Sequence, residues 1–175
     1  MSVLGYEIAL ARPEHLAAIP ALERAAAAAF SQADLPAHLR DDVTTDAELA
    51  AALRDGRLWV AVAPAGDPVG YAIALWLGSD LHLDEIDVHP AHQRRGVGRA
   101  LIEAVRAWAH ARGAARLTLT TFRFVAWNMP WYERLGFRPL ERSGLSPELA
   151  LVFEAEIATG LPRERRVAMA LELDP

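Results

Sequence analysis

Residues 88–105, VHPAHQRRGVGRALIEAV, join the end of a β-rich run to an apolar helix through a segment rich in arginine and glycine. The start of a helix offers about four N–H groups without intrahelical partners and the positive end of the helix dipole, and glycine lets an anion approach that backbone closely. Arg94, Arg95 and Arg99 add positive charge. The spacing therefore reads as a turn that holds phosphate, although two glycines at a helix start are equally compatible with a tight turn carrying solvated arginines. Two familiar phosphate loops do not fit. No Lys-Ser/Thr pair follows the glycines, as a P-loop needs, and the Gln-Arg-Arg segment replaces the glycine-rich turn of a dinucleotide fingerprint.

Outward from this turn, short β-rich runs alternate with helical ones. YEIALA opens as a strand, and PEHLAAIPALERAAAAAF has helical periodicity that Pro20 should bend or split. SQADLPAHLRDDV reads as irregular or short helix. TTDAELAAALRDG reads as a helix with Thr45 or Asp46 at its N-cap and Gly56 just past its end. RLWVAVA and VGYAIALWLG flank the turn PAGDP as a hairpin, which DLHLDEIDV extends. Beyond the glycine turn, a helix from about Gly98 to Arg112, ended by Gly113, leads into the strand ARLTLTTF. WYERLGFRPL holds a short helix ending at Gly136 and a strand beginning at Phe137. SPELALVFEAEIA is a helix capped by Ser146, and RRVAMALEL is a closing strand.

The chain has 175 residues, a net charge of −5, 53% hydrophobic residues and no cysteine. That length suits one domain with a single large core. Without cysteine there is no disulfide, no thiolate nucleophile and no cysteine metal ligand. The acidic balance is no footprint for nucleic acid or an anionic membrane, so small molecules or basic groups are the expected partners. No apolar run approaches the roughly 20 residues of a membrane span. The N-terminus lacks the pattern of an export signal, and the expected location is the cytoplasm. The histidines show no metal-binding spacing and the serines no Gly-x-Ser-x-Gly setting, so neither a metal site nor a serine hydrolase is expected.

Two separated motifs carry a resemblance. IDVHPAHQRRGVGRALIEAV resembles the acyl-CoA-binding segment of the GNAT superfamily of acetyl-CoA-dependent N-acetyltransferases, with Gln93, Gly96 and Gly98 at the signature positions after Val88 and Pro90. WYERLGF is similar to the family's Tyr-x-x-x-Gly-Phe, with Tyr132, Gly136 and Phe137 at the matching positions. The resemblance implies an α/β (α+β) GNAT fold over residues 1–175, a central mixed, splayed, mostly antiparallel sheet of about seven strands flanked by helices. It implies acetyl-CoA as co-substrate without a metal, a primary amine of a small molecule or peptide as acceptor, and possible homodimers. The strand ending at Val88 and the strand RLTLTTF would separate to admit the pantetheine arm. On this reading the coenzyme is held by Ile86, Asp87 and Val88 on the strand, by Gln93, Arg94, Arg95, Gly96, Val97, Gly98 and Arg99 in the turn, and by Asn128 and Tyr132 near its reactive end. Bulk at either glycine is expected to block backbone approach to the pyrophosphate.

The reaction implied needs a base to deprotonate the amine and an acid to protonate the leaving thiolate. Tyr132 occupies the family's tyrosine position and is the candidate acid. Glu85 and Asp84 are the candidate bases, since a partly buried carboxylate beside the slot has a raised pKa. Strict alternation puts His82 and Asp84 on one face of the strand and Glu85 and Asp87 on the other, a phase that a bulge would change. Solvated strand carboxylates and a core tyrosine are the plainer alternatives. Many relatives carry asparagine seven residues before the tyrosine, where this chain has Val125; Asn128 either reaches pantetheine or caps the helix of Tyr132, and the cap is the simpler reading. Trp127 and Trp131 either line an acceptor pocket or pack. The acidic residues of RDD (40–42) and FEAEIA (153–158) are either solvated or attract an amine. A non-catalytic acyl-CoA-binding module with the same fold is the other class these residues allow.

Overall fold

Among the described residues, eight strands form one sheet in the order β1-β2-β3-β4-β5-β6-β8-β7. Two of them, β1 (Ser2–Val3) and β7 (Arg138–Pro139), are only two residues long and stand at the two edges, and the count is one more than the expected seven or so. The computed structural model describes residues 2, 3 and 5–173; Met1, Leu4, Asp174 and Pro175 of the expected domain lie outside the described residues. Strands β2 (Tyr6–Leu10), β3 (Leu58–Val62), β4 (Pro68–Leu77) and β5 (Asp80–Val88) run antiparallel in succession. Helix α3 (Val97–His110) then crosses to β6 (Arg116–Phe122), which lies parallel to β5 and antiparallel to β8 (Arg166–Glu172).

The helices divide between the two faces. Helix α3 buries Val97, Ala100, Leu101, Val105 and Ala109, the three- and four-residue spacing of one helix stripe, against Ala72, Ala74, Leu81, Leu117 and Leu119. Helix α4 (Met129–Arg134) shares that core through Tyr132, beside Phe137. On the other face α1 (Ile19–Ala27) and α2 (Asp46–Arg54) cover Leu58, Val60, Tyr71 and Ile73, while α5 (Pro147–Ala158) covers Leu77 and Ala168. The alternation of β4 explains this division, since Ala72 and Ala74 look one way and Tyr71 and Ile73 the other.

Local chemistry sets the element ends. Pro20 sits in the first turn of α1, where its missing N–H costs nothing, and it divides that helix from a 3-10 turn over Pro13–Ala18. Thr45 and Glu48 form a capping box at the start of α2. Ser146 Oγ accepts from Leu149 N–H at 3.2 Å and so starts α5. No helix among the described residues is long and apolar enough to cross a membrane.

Candidate active site

Strands β5 and β6 pair only where residues 81–83 meet residues 117–119; beyond Leu83 and Leu119 they part. The His89 N–H donates to Val69 C=O at 2.8 Å, which fixes the phase of the β5 main chain. Odd-numbered residues of its second half bond to β4, and the main chains of Ile86 and Val88 face the slot left by the parting. Val88 C=O accepts from Gln93 Nε2 at 3.1 Å, so Gln93 braces the turn against the strand. The main chain of Asp87 is turned to Tyr71 of β4 and its side chain lines a cleft on the face of α1 and α5.

Past the slot, Arg94 and Gly96 both adopt left-handed backbone, at φ 58° and φ 80°. Gly96 is the N-cap of α3 and no side chain caps that end. Left-handed residues at this spacing, at the uncapped positive end of a 14-residue helix, are the kind of backbone that can present successive N–H groups to an anion. Arg94 and Arg99 are exposed and make no ion pair or hydrogen bond among the described residues. Arg95 instead donates to the Tyr6 hydroxyl at 3.2 Å, and that hydroxyl lies 2.9 Å from His92 Nδ1. The side chain of Val97 is packed in the core, so only its main chain can serve the turn. A Cβ on Gly98 would meet Trp131 at 3.5 Å, an ordinary contact, and Trp131 packs there rather than lining the cleft on the far face.

A cleft of about 360 Å³ opens on the face of α1 and α5. Its walls are α1, residues 30–44, the parting ends of β5 and β6, and Glu156 of α5. Tyr132 reaches this cleft from α4 on the opposite side of the sheet. It is 6% exposed, and its hydroxyl makes no hydrogen bond among the described residues. Asn128 stands at the N-cap of α4 without capping through its side chain, contrary to the simpler expectation. Its Nδ2 donates to Thr121 Oγ1 at 2.8 Å, which leaves the buried Oδ1 without a partner.

The carboxylates of β5 gather at the floor of this cleft. The pairing of β4 with β5 shifts at Ile73 and Ala74, where Glu85 and Leu83 are consecutive partners and Asp84 is the extra residue. This bulge breaks the alternation expected from the sequence: Asp84, Glu85 and Asp87 all line the cleft, while His82 is buried at 3.0 Å from Thr118 Oγ1. Burial, aided by the charge of Arg166, lowers the His82 pKa to about 4, so the ring is neutral at pH 7. Asp84 and Glu85 are open to the cleft but surrounded at depth by protein, so the water that reaches them is confined. Desolvation raises Asp84 to about 6, with Glu156 and Glu48 adding repulsion that Arg57 partly offsets. Glu85 is raised well above the usual carboxylate range, first by desolvation and then by Asp87, Asp84 and Glu23. Asp87 is raised by desolvation and by Glu23, so Glu85 and Asp87 titrate as a pair. Desolvation also raises Tyr132, which keeps its proton, and the charges of Glu85 and Asp87 act in the same direction.

Glu23 completes the cleft and carries no motif. It accepts from Tyr71 Oη at 2.6 Å, Thr44 N–H at 2.9 Å and Thr44 Oγ1 at 2.6 Å. Its sequence signal is a glutamate within the buried stripe Ile19, Leu22, Glu23, Ala26 of α1.

The same residues carry a likeness to known proteins. The profile of the Acetyltransferase (GNAT) family matches residues 19–137, a span that holds the slot, the turn QRRGVG and Tyr132. The chain belongs to the GNAT acetyltransferase family. Within that family it is 34% identical over 85 residues to streptothricin acetyltransferase of Streptomyces lavendulae; the match spans 47% of this chain and about half, 45%, of that relative. Its fold is that of nourseothricin acetyltransferase, at TM-score 0.63 and 23% identity, with 97% of this chain and 99% of that one covered. The PaiA N-acetyltransferase of Thermoplasma acidophilum, solved in complex with coenzyme A, superposes at TM-score 0.72 and 12% identity over 97% and 99% of the two chains.

Proposed function

We propose that this GNAT protein transfers an acetyl group from acetyl-CoA directly to a primary amine held in the acidic cleft. One observation carries the reading: at the parting of β5 and β6, the unpartnered Tyr132 hydroxyl and the raised carboxylates of Glu85 and Asp87 line the same cavity. The residues present fit the coenzyme. The N–H groups from Arg94 to Arg99 would hold its pyrophosphate, the main chains of Ile86 and Val88 would pair with pantetheine, and the orphaned Asn128 Oδ1 would accept from an amide N–H. When bound, acetyl-CoA supplies the thioester carbonyl that the amine attacks.

The chain's own residues handle the protons. Glu85, ionised, takes a proton from the ammonium group directly or through one water, which frees the nitrogen lone pair. Its pKa is raised from the usual carboxylate range, the direction that makes the ionised carboxylate a stronger proton acceptor. Tyr132 Oη donates its proton to the departing sulfur and recovers one from the acylated nitrogen. Asp87 keeps Glu85 raised through its negative charge, and Asp84, the extra residue of the bulge, is not among the charges that act on Tyr132.

The first test is thermal unfolding with acetyl-CoA and CoA against ATP and NAD. At a hundred times Kd a ligand adds about 2.7 kcal/mol, which for a chain of this size is a rise of about 5–10 °C. Thiol release with streptothricin, the acceptor named for the sequence relative, follows as the first amine to try. A Glu85→Gln variant is expected to lose about 10²–10⁴-fold in kcat/KM. In the parent, kcat/KM should fall as pH drops below the raised Glu85 pKa, because only the ionised carboxylate is a base. No rise with acetyl-CoA, or an acid limb at the ordinary glutamate pKa near 4.5, overturns the reading.

A further inference from the structure

The lining of the acceptor cleft contains six carboxylates, Glu23, Asp42, Asp84, Glu85, Asp87 and Glu156, against a single cation, Arg166. Two of the six are already engaged. Glu23 serves Tyr71 and Thr44, and Glu156 is held by Arg166 at 2.7 Å. Asp42, Asp84 and Glu85 make no hydrogen bond or ion pair among the described residues. One ammonium group would neutralise one of these and leave the others crowded in confined water.

The unpaired charges also come from two segments. Asp84 and Glu85 are consecutive on β5, about 3.8 Å apart between Cα atoms, and the bulge opens both into the cleft, which Asp42 enters from the segment between α1 and α2. Between and above them the walls are apolar, with Phe30, Leu35, Leu39, Val43 and Phe122 facing the same space. Separated anions joined by hydrocarbon walls match ammonium groups joined by methylenes. The buried, unpartnered Tyr132 hydroxyl, within electrostatic reach of Glu85 and Asp87, marks the end at which the reacting amine lies. A cavity of about 360 Å³ is at the small end of the range for small-molecule sites, which favours a slender ligand over a protein terminus.

We infer that the acceptor is an aliphatic polyamine-like molecule with two or more ammonium groups, its reacting amine at Glu85 and a second ammonium at Asp84. This rests on the acetyltransferase reading and names its substrate class.

Spermidine and n-butylamine serve as probes, compared by thiol release at saturating acetyl-CoA and by calorimetric titration of the protein alone. Spermidine is expected to show at least about 100-fold higher kcat/KM and at least about tenfold tighter binding, weakening as salt screens the charges. In Asp84→Asn the ratio between the two amines is expected to shrink about tenfold through KM for spermidine. Asp42→Asn is expected to shrink it less. Equal affinity for the two amines, or an unchanged ratio in Asp84→Asn, overturns the inference. A preference for the hydroxyl-rich polycation kanamycin over spermidine overturns its aliphatic part. The titration needs no turnover, so a protein that binds spermidine selectively without acetylating it would defeat the acetyltransferase reading and leave the polycation site standing.

Discussion

Gly96 and Gly98 look equivalent in the sequence and should respond in opposite ways to the same added methyl group. Gly96 holds φ 80° as the N-cap of α3. An L-residue there pays about 1–2 kcal/mol for the left-handed conformation, which at this chain length lowers the Tm by about 2–8 °C. If the backbone relaxes instead, the N–H groups that follow turn away from the anion. Losing one charge-assisted hydrogen bond costs about 1.5–3 kcal/mol, so Gly96→Ala should weaken CoA binding about 10- to 100-fold. Gly98 lies inside the helix with ordinary φ, and its added Cβ would stand 3.5 Å from Trp131 and 3.7 Å from Val88, distances that need no movement. Replacing a helical glycine by alanine there gains up to about 1 kcal/mol, a rise of about 2–4 °C, with CoA affinity changed less than about threefold. Calorimetric unfolding and CoA titration on both variants separate the cases. Equal losses of CoA affinity in the two would refute the backbone-conformation argument, as would a Gly96→Ala protein that binds CoA like the parent.

Three further outcomes follow from the same geometry. Tyr132→Phe should lower kcat by about 10²-fold or more while leaving the Tm in place, since the hydroxyl makes no hydrogen bond among the described residues; a large fall in Tm would point to a structural role. Glu23→Ala strands the fully buried Tyr71 hydroxyl and the Thr44 N–H, and urea unfolding should show a loss of about 2–5 kcal/mol. Asp84, raised from 3.8 to about 6, contributes stability that is complete below pH 4 and lost as pH rises through about 6. Asp84→Asn should therefore unfold at a higher temperature than the parent above pH 6 and match it below pH 4, as read by scanning calorimetry across that range.

The parts of the site legible in the sequence are those written in contiguous residues. The turn QRRGVG and the segment WYERLGF each specify one piece of backbone, so their residues stay together in the fold and the slot follows from the strand that precedes each. The acidic run of β5 was equally visible, but the facing of its side chains was not. Strict alternation divides Asp84 from Glu85, and the single extra residue opposite Ile73 and Ala74 brings both into the cleft. A bulge depends on how β5 pairs with β4, information that the run DLHLDEIDV alone does not contain.

Contacts across the chain were the least legible and matter most for the acceptor. Glu23 meets Tyr71 from 48 residues away, and nothing near either residue announces the other. Of the two acidic segments flanking the motifs, only Asp42 from RDD and Glu156 from FEAEIA enter the cleft lining; Glu154, two residues from Glu156, is exposed and paired with Arg163. A helix turns about 100° per residue, so two positions move a side chain to a different face. That rotation separates a carboxylate that balances a surface arginine from one that joins the acceptor cleft, and it is fixed by the packing of Leu149 against Leu77 and Ala168 beneath α5. The acidity of the cleft is thus a property of how α1, β5 and α5 converge on the parting of β5 and β6. The turn QRRGVG leads into α3 on the opposite face, so on the proposed reading the sheet keeps the coenzyme phosphates and the six cleft carboxylates apart. On the proposed reading, an amine entering from the acidic side and a thioester entering from the other meet at the slot, where Tyr132 lies.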